Sequence, residues 1–369
     1  MESGKPRVGF LSTDWSAVEH EGKPTPGGAN WYRIQMAVDA LNASGQFEAF
    51  TGMALEQMTT GEFRLHDFDG TTHDGLEYVV IQRWMDQHAP DCIAKGRRYG
   101  QVIINDIDDW WWGLSPKNRA FYGSHPKYSP QANTMHYAKA CANSDLITCS
   151  TPFLAEKMHQ KTSNASLLVR NRVRVDDFKQ TDVSGAPIVG WVGTIAHRSG
   201  DLEILKGLIG PWCVQAGASV FHGGADNSQM TAMPSLGIPK GVRSKTMPMQ
   251  TIFNYPRLFT KFNIGIVPLS SVPFNEAKSA IKGMEMAAAG IPFIASATPE
   301  YVWLRETHGI GFTASKPKEW LRYLNVLSDE DARVKIGAEF RQRVQALSPE
   351  GLSDEWAGVL ATAKAQRHL

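Results

Sequence analysis

Short apolar runs alternate along this chain with stretches whose apolar residues recur every three or four positions. Residues 6–12 (PRVGFLS) predict a buried strand. A polar, Gly/Pro-rich loop over 13–29 leads into a predicted helix over 30–42. There Ile34, Val38 and Leu41 fall at i, i+4 and i+7, and Asn30 is placed to cap the helix. Residues 76–82 (LEYVVIQ), 101–106 (QVIIND), 145–150 (DLITCS) and 165–170 (ASLLVR) predict further strands with helical patterns between them. Alternation of this kind is the signature of a parallel α/β sheet.

Near the midpoint the texture changes to DDFKQTDVSGAP, polar with Gly and Pro. This predicts a linker over 176–186, between a first domain at 1–175 and a second at 187–350. The second series has predicted strands at 187–193, 218–222, 262–267 and 291–296. Its predicted helices cover 201–208, 250–258, 277–289, 317–327 and 329–346, and 351–369 carry a last helix. Open α/β sheets bind ligands beyond the carboxyl ends of their strands, so two such sheets predict a site in a cleft between them.

Composition narrows the class. The chain has 369 residues, 42% hydrophobic and 20% charged, as expected of a globular protein rather than a disordered chain, a collagen-like repeat or a small disulfide scaffold. Lys and Arg (38) nearly balance Asp and Glu (37), a net charge of +1, which disfavours a general nucleic-acid coat. Cys92, Cys141, Cys149 and Cys213 form no CxxC pair and read as small apolar residues of a reducing compartment. The start of the chain has no long apolar segment, and no run reaches the roughly 18 apolar residues of a membrane span. A cytoplasmic location is the expectation.

The richest chemistry lies in 264–296 (IGIVPLSSVPFNEAKSAIKGMEMAAAGIPFIAS). On the predicted helix, Lys278, Lys282 and Glu285 share one face. A helix N-terminus favours phosphate, Ser279 adds a hydroxyl, and Glu285 can accept hydrogen bonds from a ribose diol. The same spacing also describes a solvated face with a Lys282–Glu285 ion pair. Further back, Gly193 allows close backbone approach to a phosphate, and Asp201 is placed to cap the following helix. In the first half, Gly28 sits in a Pro-Gly-Gly turn before a helix that carries Arg33. NDIDDWWW (105–112) groups Asp106, Asp108 and Asp109 with Trp110. Asp106 and Asp108 have the spacing of a metal-binding acid pair. Acceptor orientation by these acids, or helix capping by Asp108 or Asp109, are the other readings. The three tryptophans cannot all be buried on one face, and an exposed ring suits stacking on a sugar. His66, His73, His88, His125 and His136 lack metal-ligand spacing. GxSxG, HExxH, the P-loop and GxGxxG are absent.

Pro268-Leu269…Phe274-Asn275…Lys278-Ser279…Lys282…Glu285…Ala289-Gly290-Ile291-Pro292 resembles the donor-binding segment of GT-B glycosyltransferases, in particular the retaining "glycosyl transferases group 1" class. GWVGTIAHRSGD (190–201) resembles the first strand and turn of that donor domain. LLVRNRVRVDDF (167–178) resembles the interdomain crossover, with Arg172 where a Gly is usual. An acid that often stands eight residues before the ribose Glu is Ala277 here, with Glu276 beside it. The resemblance implies two Rossmann-like domains facing a cleft and a last helix that crosses back to the first domain. It implies a nucleotide diphosphate sugar as donor, retention of configuration, and no obligatory metal or other cofactor. Glu285 would hold the ribose. Gly193, Thr194, Asn275, Ser279, Lys282 and Gly28 would line the donor, and Lys278 with Arg198 or His197 would offset the leaving diphosphate. Arg33, Asp106, Asp108, Asp109 and Trp110 would stand on the acceptor side. Bacterial or bacteriophage enzymes are the nearest in character. The acceptor (protein, glycan or modified DNA base) and the oligomeric state are open. A nucleotide-sugar epimerase of the same fold and a non-catalytic nucleotide-sugar binder are the alternatives.

Overall fold

The computed structural model describes residues 4–195, 200–225 and 231–367. The chain forms two compact units, one of Met1–Pro116, Ala120–Asn171 and Pro349–Leu369, the other of Lys117–Arg119 and Arg172–Ser348.

The first unit is built on six parallel strands: β1 (Arg7–Ser12), β2 (Glu48–Gly52), β3 (Tyr78–Gln82), β4 (Val102–Ile107), β5 (Leu146–Cys149) and β6 (Ser166–Leu168). Their order is β2-β1-β3-β4-β5-β6, so the winding reverses between β1 and β3. The central strands are apolar at successive positions because both faces are covered. Val8, Phe10, Val80 and Ile104 face helix α1 (Met36–Ser44) and the C-terminal helix Leu352–Gln366. Trp356 of that last helix is buried edge-on against Phe10, ring centres 5.2 Å apart. On the other face Val79, Ile81 and Ile103 pack with Ile93 of α2 (Ala89–Tyr99) and Ala140 of α3 (Thr134–Ala142).

Two local expectations are corrected in this unit. The predicted loop over 13–29 contains a hairpin, Trp15–His20 with Lys23–Pro26, turning at Glu21 and Gly22 with φ of 53° and 74°. Asn30 does not cap the helix; it lies within a π-helical opening, Asn30–Gln35. Asp14 caps instead, its Oδ2 accepting from the N–H groups of Ala29 (2.8 Å) and Asn30 (3.2 Å). Gly27 makes room for it, since a Cβ there would stand 2.4 Å from the Asp14 carboxylate.

The second unit also has six parallel strands: β7 (Ile188–Val192), β8 (Ser219–Ala225), β9 (Ser244–Pro248), β10 (Ile264–Val267), β11 (Phe293–Ser296) and β12 (Phe312–Ala314). The order β9-β8-β7-β10-β11-β12 places the reversal between β7 and β10. The segment predicted as a linker belongs to this unit. Phe178 and Val183 lie in its core, and Arg333 of α5 (Glu330–Val344) donates to the Val183 carbonyl at 2.7 Å. Apolar side chains at 178 and 183 outweigh the polar texture around them. Apart from the short excursion at 117–119, the chain passes between units at 171–172 and returns at 348–349.

The helix predicted over 277–289 is broken. A single turn, Pro273–Glu276, precedes α4 (Ile281–Ala288), and 277–280 are non-helical. Ala277 and Ala280 are buried there, and packing overrides their helix propensity. Among the described residues no helix is long and apolar enough to cross a membrane.

Candidate active site

Both sheets reverse winding at a point where open α/β folds bind ligands. In the second unit the loop after β10 is pinned on two sides. Leu269 N–H donates to Ser296 Oγ at 2.8 Å. Asp201 Oδ1 accepts from Ser270 N–H (2.9 Å), Ser270 Oγ (2.7 Å) and Asn275 Nδ2 (2.6 Å). Asp201 therefore braces the loop across the reversal point; its side chain does not cap the helical turn that follows it. The Asn275 amide is committed to this frame, also donating to the Ser270 carbonyl at 2.9 Å. It is buried, so it shapes the loop instead of reaching out from it.

Lys278 and Ser279 lie in the non-helical link, half-buried, not on the same helix face as Lys282 and Glu285. The break turns Lys278 Nζ over the Phe274 ring, 4.1 Å from its centre. Lys282 and Glu285 do meet on α4, Nζ to Oε2 at 3.1 Å. Tyr255, which sequence reasoning missed, completes the group: its hydroxyl donates to Glu285 Oε2 at 2.8 Å and accepts from Lys282 Nζ. Glu285 is 0% exposed. A carboxylate so deep needs charged and hydroxyl partners, and it has both. Lys282 also sits over the Tyr255 ring, 4.6 Å from its centre.

Gly193 and Thr194 follow β7 and are half-buried. Gly193 N–H donates to Gly223 O at 2.9 Å. Gly224 has φ +98°, and a Cβ on it would come within 3.1 Å of the Gly193 carbonyl. His222 is buried between these strands, Nε2 donating to Gly193 O (3.0 Å) and Nδ1 accepting from Ala232 N–H (3.3 Å). The result is a side-chain-poor turn with its backbone brought close to a neighbouring strand. His197 and Arg198 lie outside the described residues.

The first unit's edge has another character. Asp106 is 0% exposed and bound on both oxygens by Arg33, Nε to Oδ2 at 3.1 Å and Nη2 to Oδ1 at 2.6 Å. Thr148 Oγ1 adds 2.7 Å to Oδ1, and Arg33 Nη1 reaches Asn171 Oδ1 at 3.1 Å and the Val169 carbonyl. Burial works against the Arg33 charge, but Asp106 overcomes it and raises the guanidinium's pKa. Asp108 is held by Arg83, another residue missed in the sequence, through Nε to Oδ1 at 2.9 Å and through Nη2. Arg83 also reaches Asp109 (3.5 Å) and Asp14 (3.8 Å) and lies over the Trp111 ring at 5.5 Å. Burial, Asp109 and Asp106 push the Asp108 carboxyl up, against the pull of Arg83. Arg83 itself has φ +58°, an uncommon backbone for a bulky residue.

These partners remove two of the alternative readings of this segment. Asp106 and Asp108 are ion-pair members rather than a free acid pair. Neither Asp108 nor Asp109 caps the short turn Trp111–Gly113, which has no side-chain cap. Among the described residues no group of His, Cys, Asp and Glu is arranged to hold a metal. Trp110, Trp111 and Trp112 are all half-buried. Trp112 stacks on Tyr137 (5.7 Å), and Trp110 packs against Trp112 (4.9 Å) with Lys161 above both. Gly28 is exposed, with open space where a side chain would be.

No protein-family model matches the sequence, and no curated protein does. Solved structures do. A sucrose-phosphate synthase from Thermosynechococcus elongatus aligns over 98% of this chain and 100% of its own, with TM-score 0.61 and 14% identity. Anabaena HepE, solved with UDP and glucose, aligns over 97% and 100%, with TM-score 0.61 and 12% identity. TarM aligns over 81% of this chain and 61% of its own, with TM-score 0.56 and 8% identity. The fold is GT-B, two Rossmann-like units each with a parallel sheet.

Proposed function

We propose that this chain is a glycosyltransferase, moving a sugar from a nucleotide diphosphate sugar to an acceptor hydroxyl with retention and without an obligatory metal. One observation carries the reading. At the reversal point of the second sheet, a braced loop and a buried Glu285, held by half-buried Lys282 and Tyr255, stand in the unit whose Gly193–Thr194 turn carries little side chain. The existence of GT-B structures solved with UDP and with UDP-glucose supports the donor class.

The roles follow from chemistry. Glu285 accepts the ribose hydroxyls in exchange for its present bonds to Lys282 and Tyr255, which cover it in the free chain. As the anomeric carbon bonds to the acceptor oxygen, its bond to the diphosphate oxygen breaks, and the acceptor's hydroxyl proton passes to that departing diphosphate oxygen. The charge on that oxygen is offset by Lys278, by Arg198 or His197, and by the N–H groups of Thr194 and Ser279. Asn275 keeps the loop in shape. Asp109 and Trp110, the more accessible members of the first unit's edge, contact the acceptor. Arg33 and Asp106 hold that edge rigid. The enzyme works in a bacterial or phage-infected cytoplasm.

A thermal-shift screen of nucleotide diphosphate sugars tests this, run on wild type, Glu285→Ala and Lys278→Ala with transfer followed by product formation. One nucleotide raises the wild-type melting temperature and has much less effect on either variant. Equal shifts in all three proteins would remove both residues from the site, and binding with no product would leave a binder in place of an enzyme.

A further inference from the structure

Away from either reversal point, the first unit has a cavity of about 340 Å³ lined by Ala94, Arg97, Arg98, Asn143 and Arg367. It lies where α2 and α3 end and where the C-terminal helix runs out, beside Gln101 and Asp145 at the amino ends of β4 and β5. Ligands of open sheets gather at the opposite, carboxyl edge, so this is a separate place.

Three guanidinium groups converge on it. Arg97 is neutralised by Asp145, Nε to Oδ1 at 2.7 Å. Arg367 donates to two carbonyls, those of Gln101 and Arg97, which hold it in place without cancelling its charge. Arg98 is exposed, and among the described residues no carboxylate lines the cavity. Two positive charges thus remain. The carbonyl end of α2 would by itself repel an anion, but the Arg367 guanidinium covers that end. The volume lies within the range of small-molecule sites, roughly 300–1,000 Å³, and is about ten times the share of one water molecule. Guanidinium N–H groups such as those of Arg98 and Arg367 are donors that a phosphoryl group accepts from.

We propose that this cavity binds a small phosphorylated anion, a phosphomonoester with a compact body such as a sugar monophosphate. Bound there, the anion links α2 to the end of the C-terminal helix through Arg98 and Arg367. The site regulates stability of the first unit independently of the donor.

Inorganic phosphate and glucose 6-phosphate are titrated into the full chain against sodium chloride of equal ionic strength. Readouts are thermal shift and hydrogen exchange of the last turn of the C-terminal helix. Both phosphates give a saturable shift and slow exchange there, and chloride does not. Arg98→Ala melts as wild type without ligand and binds about tenfold more weakly. Lys278→Ala, which removes the ammonium proposed to offset the donor diphosphate, retains the full phosphate response, which separates this site from the donor site. A shift no larger than that of chloride, or one unchanged in Arg98→Ala, overturns the proposal. So does binding confined to phosphatidylglycerol vesicles, which would make the arginines a lipid contact.

Discussion

The strand ends of the two units hold their acids differently. In the first unit each buried acid is matched by an arginine: Asp106 by Arg33, Asp108 by Arg83. Charge meets charge, and little of either is left to offer. In the second unit Asp201 accepts hydrogen bonds from the Ser270 hydroxyl, the Ser270 backbone amide and the Asn275 side chain, and Glu285 shares a lysine with a tyrosine hydroxyl. Those partners shape a loop and leave backbone and ammonium groups near the strand ends. The comparison teaches that an acid-rich sequence motif and a ligand site need not coincide. NDIDDWWW is the most eye-catching stretch of the chain, and its acids are largely consumed in holding β4 to its neighbours.

The largest expected effect comes from breaking the first arrangement. Arg33→Met leaves Asp106 buried without its counter-charge, and should cost about 3–5 kcal/mol of stability. Urea unfolding measures it. Adding Asp106→Asn to the same chain recovers part of the loss, because the stranded charge is gone. Nucleotide affinity, measured on the fraction still folded, stays at the wild-type value if this edge is scaffold. A parallel fall in affinity would show that the two edges are not separable in the way described.

A smaller effect is expected in the second unit. Gly224→Ala places a Cβ within 3.1 Å of the Gly193 carbonyl at a φ of +98° that alanine tolerates poorly. A stability loss of about 1–2 kcal/mol follows from the backbone alone. The Gly193 turn must also shift, so donor affinity falls by more than the stability change accounts for. Calorimetry on folded protein at low temperature checks this. Unchanged affinity would mean the turn does not touch the donor.

Much of this was legible in the sequence, and the gaps have physical causes. The core strands were readable because β3, β4, β7 and β10 are buried on both faces and so apolar throughout. The edge strands β2, β9 and β12 were missed: EAFTG is only partly buried, SKTMP is largely exposed, and FTA is three residues long. Lys282 and Glu285 were readable as a helical pair. Lys278 was assigned to their face because propensity predicts one helix where buried Ala277 and Ala280 make a break. Tyr255 and Arg83 were not readable, since each lies about 25–30 positions from the acid it serves and only the fold brings them together.

Asp14 gives the smallest and most local test of the comparison. Its carboxylate caps the helix that carries Arg33, and it lies 3.8 Å from Arg83. If capping is its main work, Asp14→Ala costs about 1 kcal/mol, within the usual range for a lost N-cap. Asp14→Asn, which keeps an acceptor oxygen for the Ala29 and Asn30 N–H groups, then restores most of that loss. If its charge instead matters to Arg83, Asn fails as badly as Ala, because the amide cannot offset the guanidinium. Raising the salt concentration separates the cases further: a cap is nearly indifferent to salt, while a partly exposed ion pair weakens. A charge-dominated result would extend the arginine network of the first edge from β4 out to the hairpin loop, and would sharpen its contrast with the hydrogen-bonded edge of the second unit.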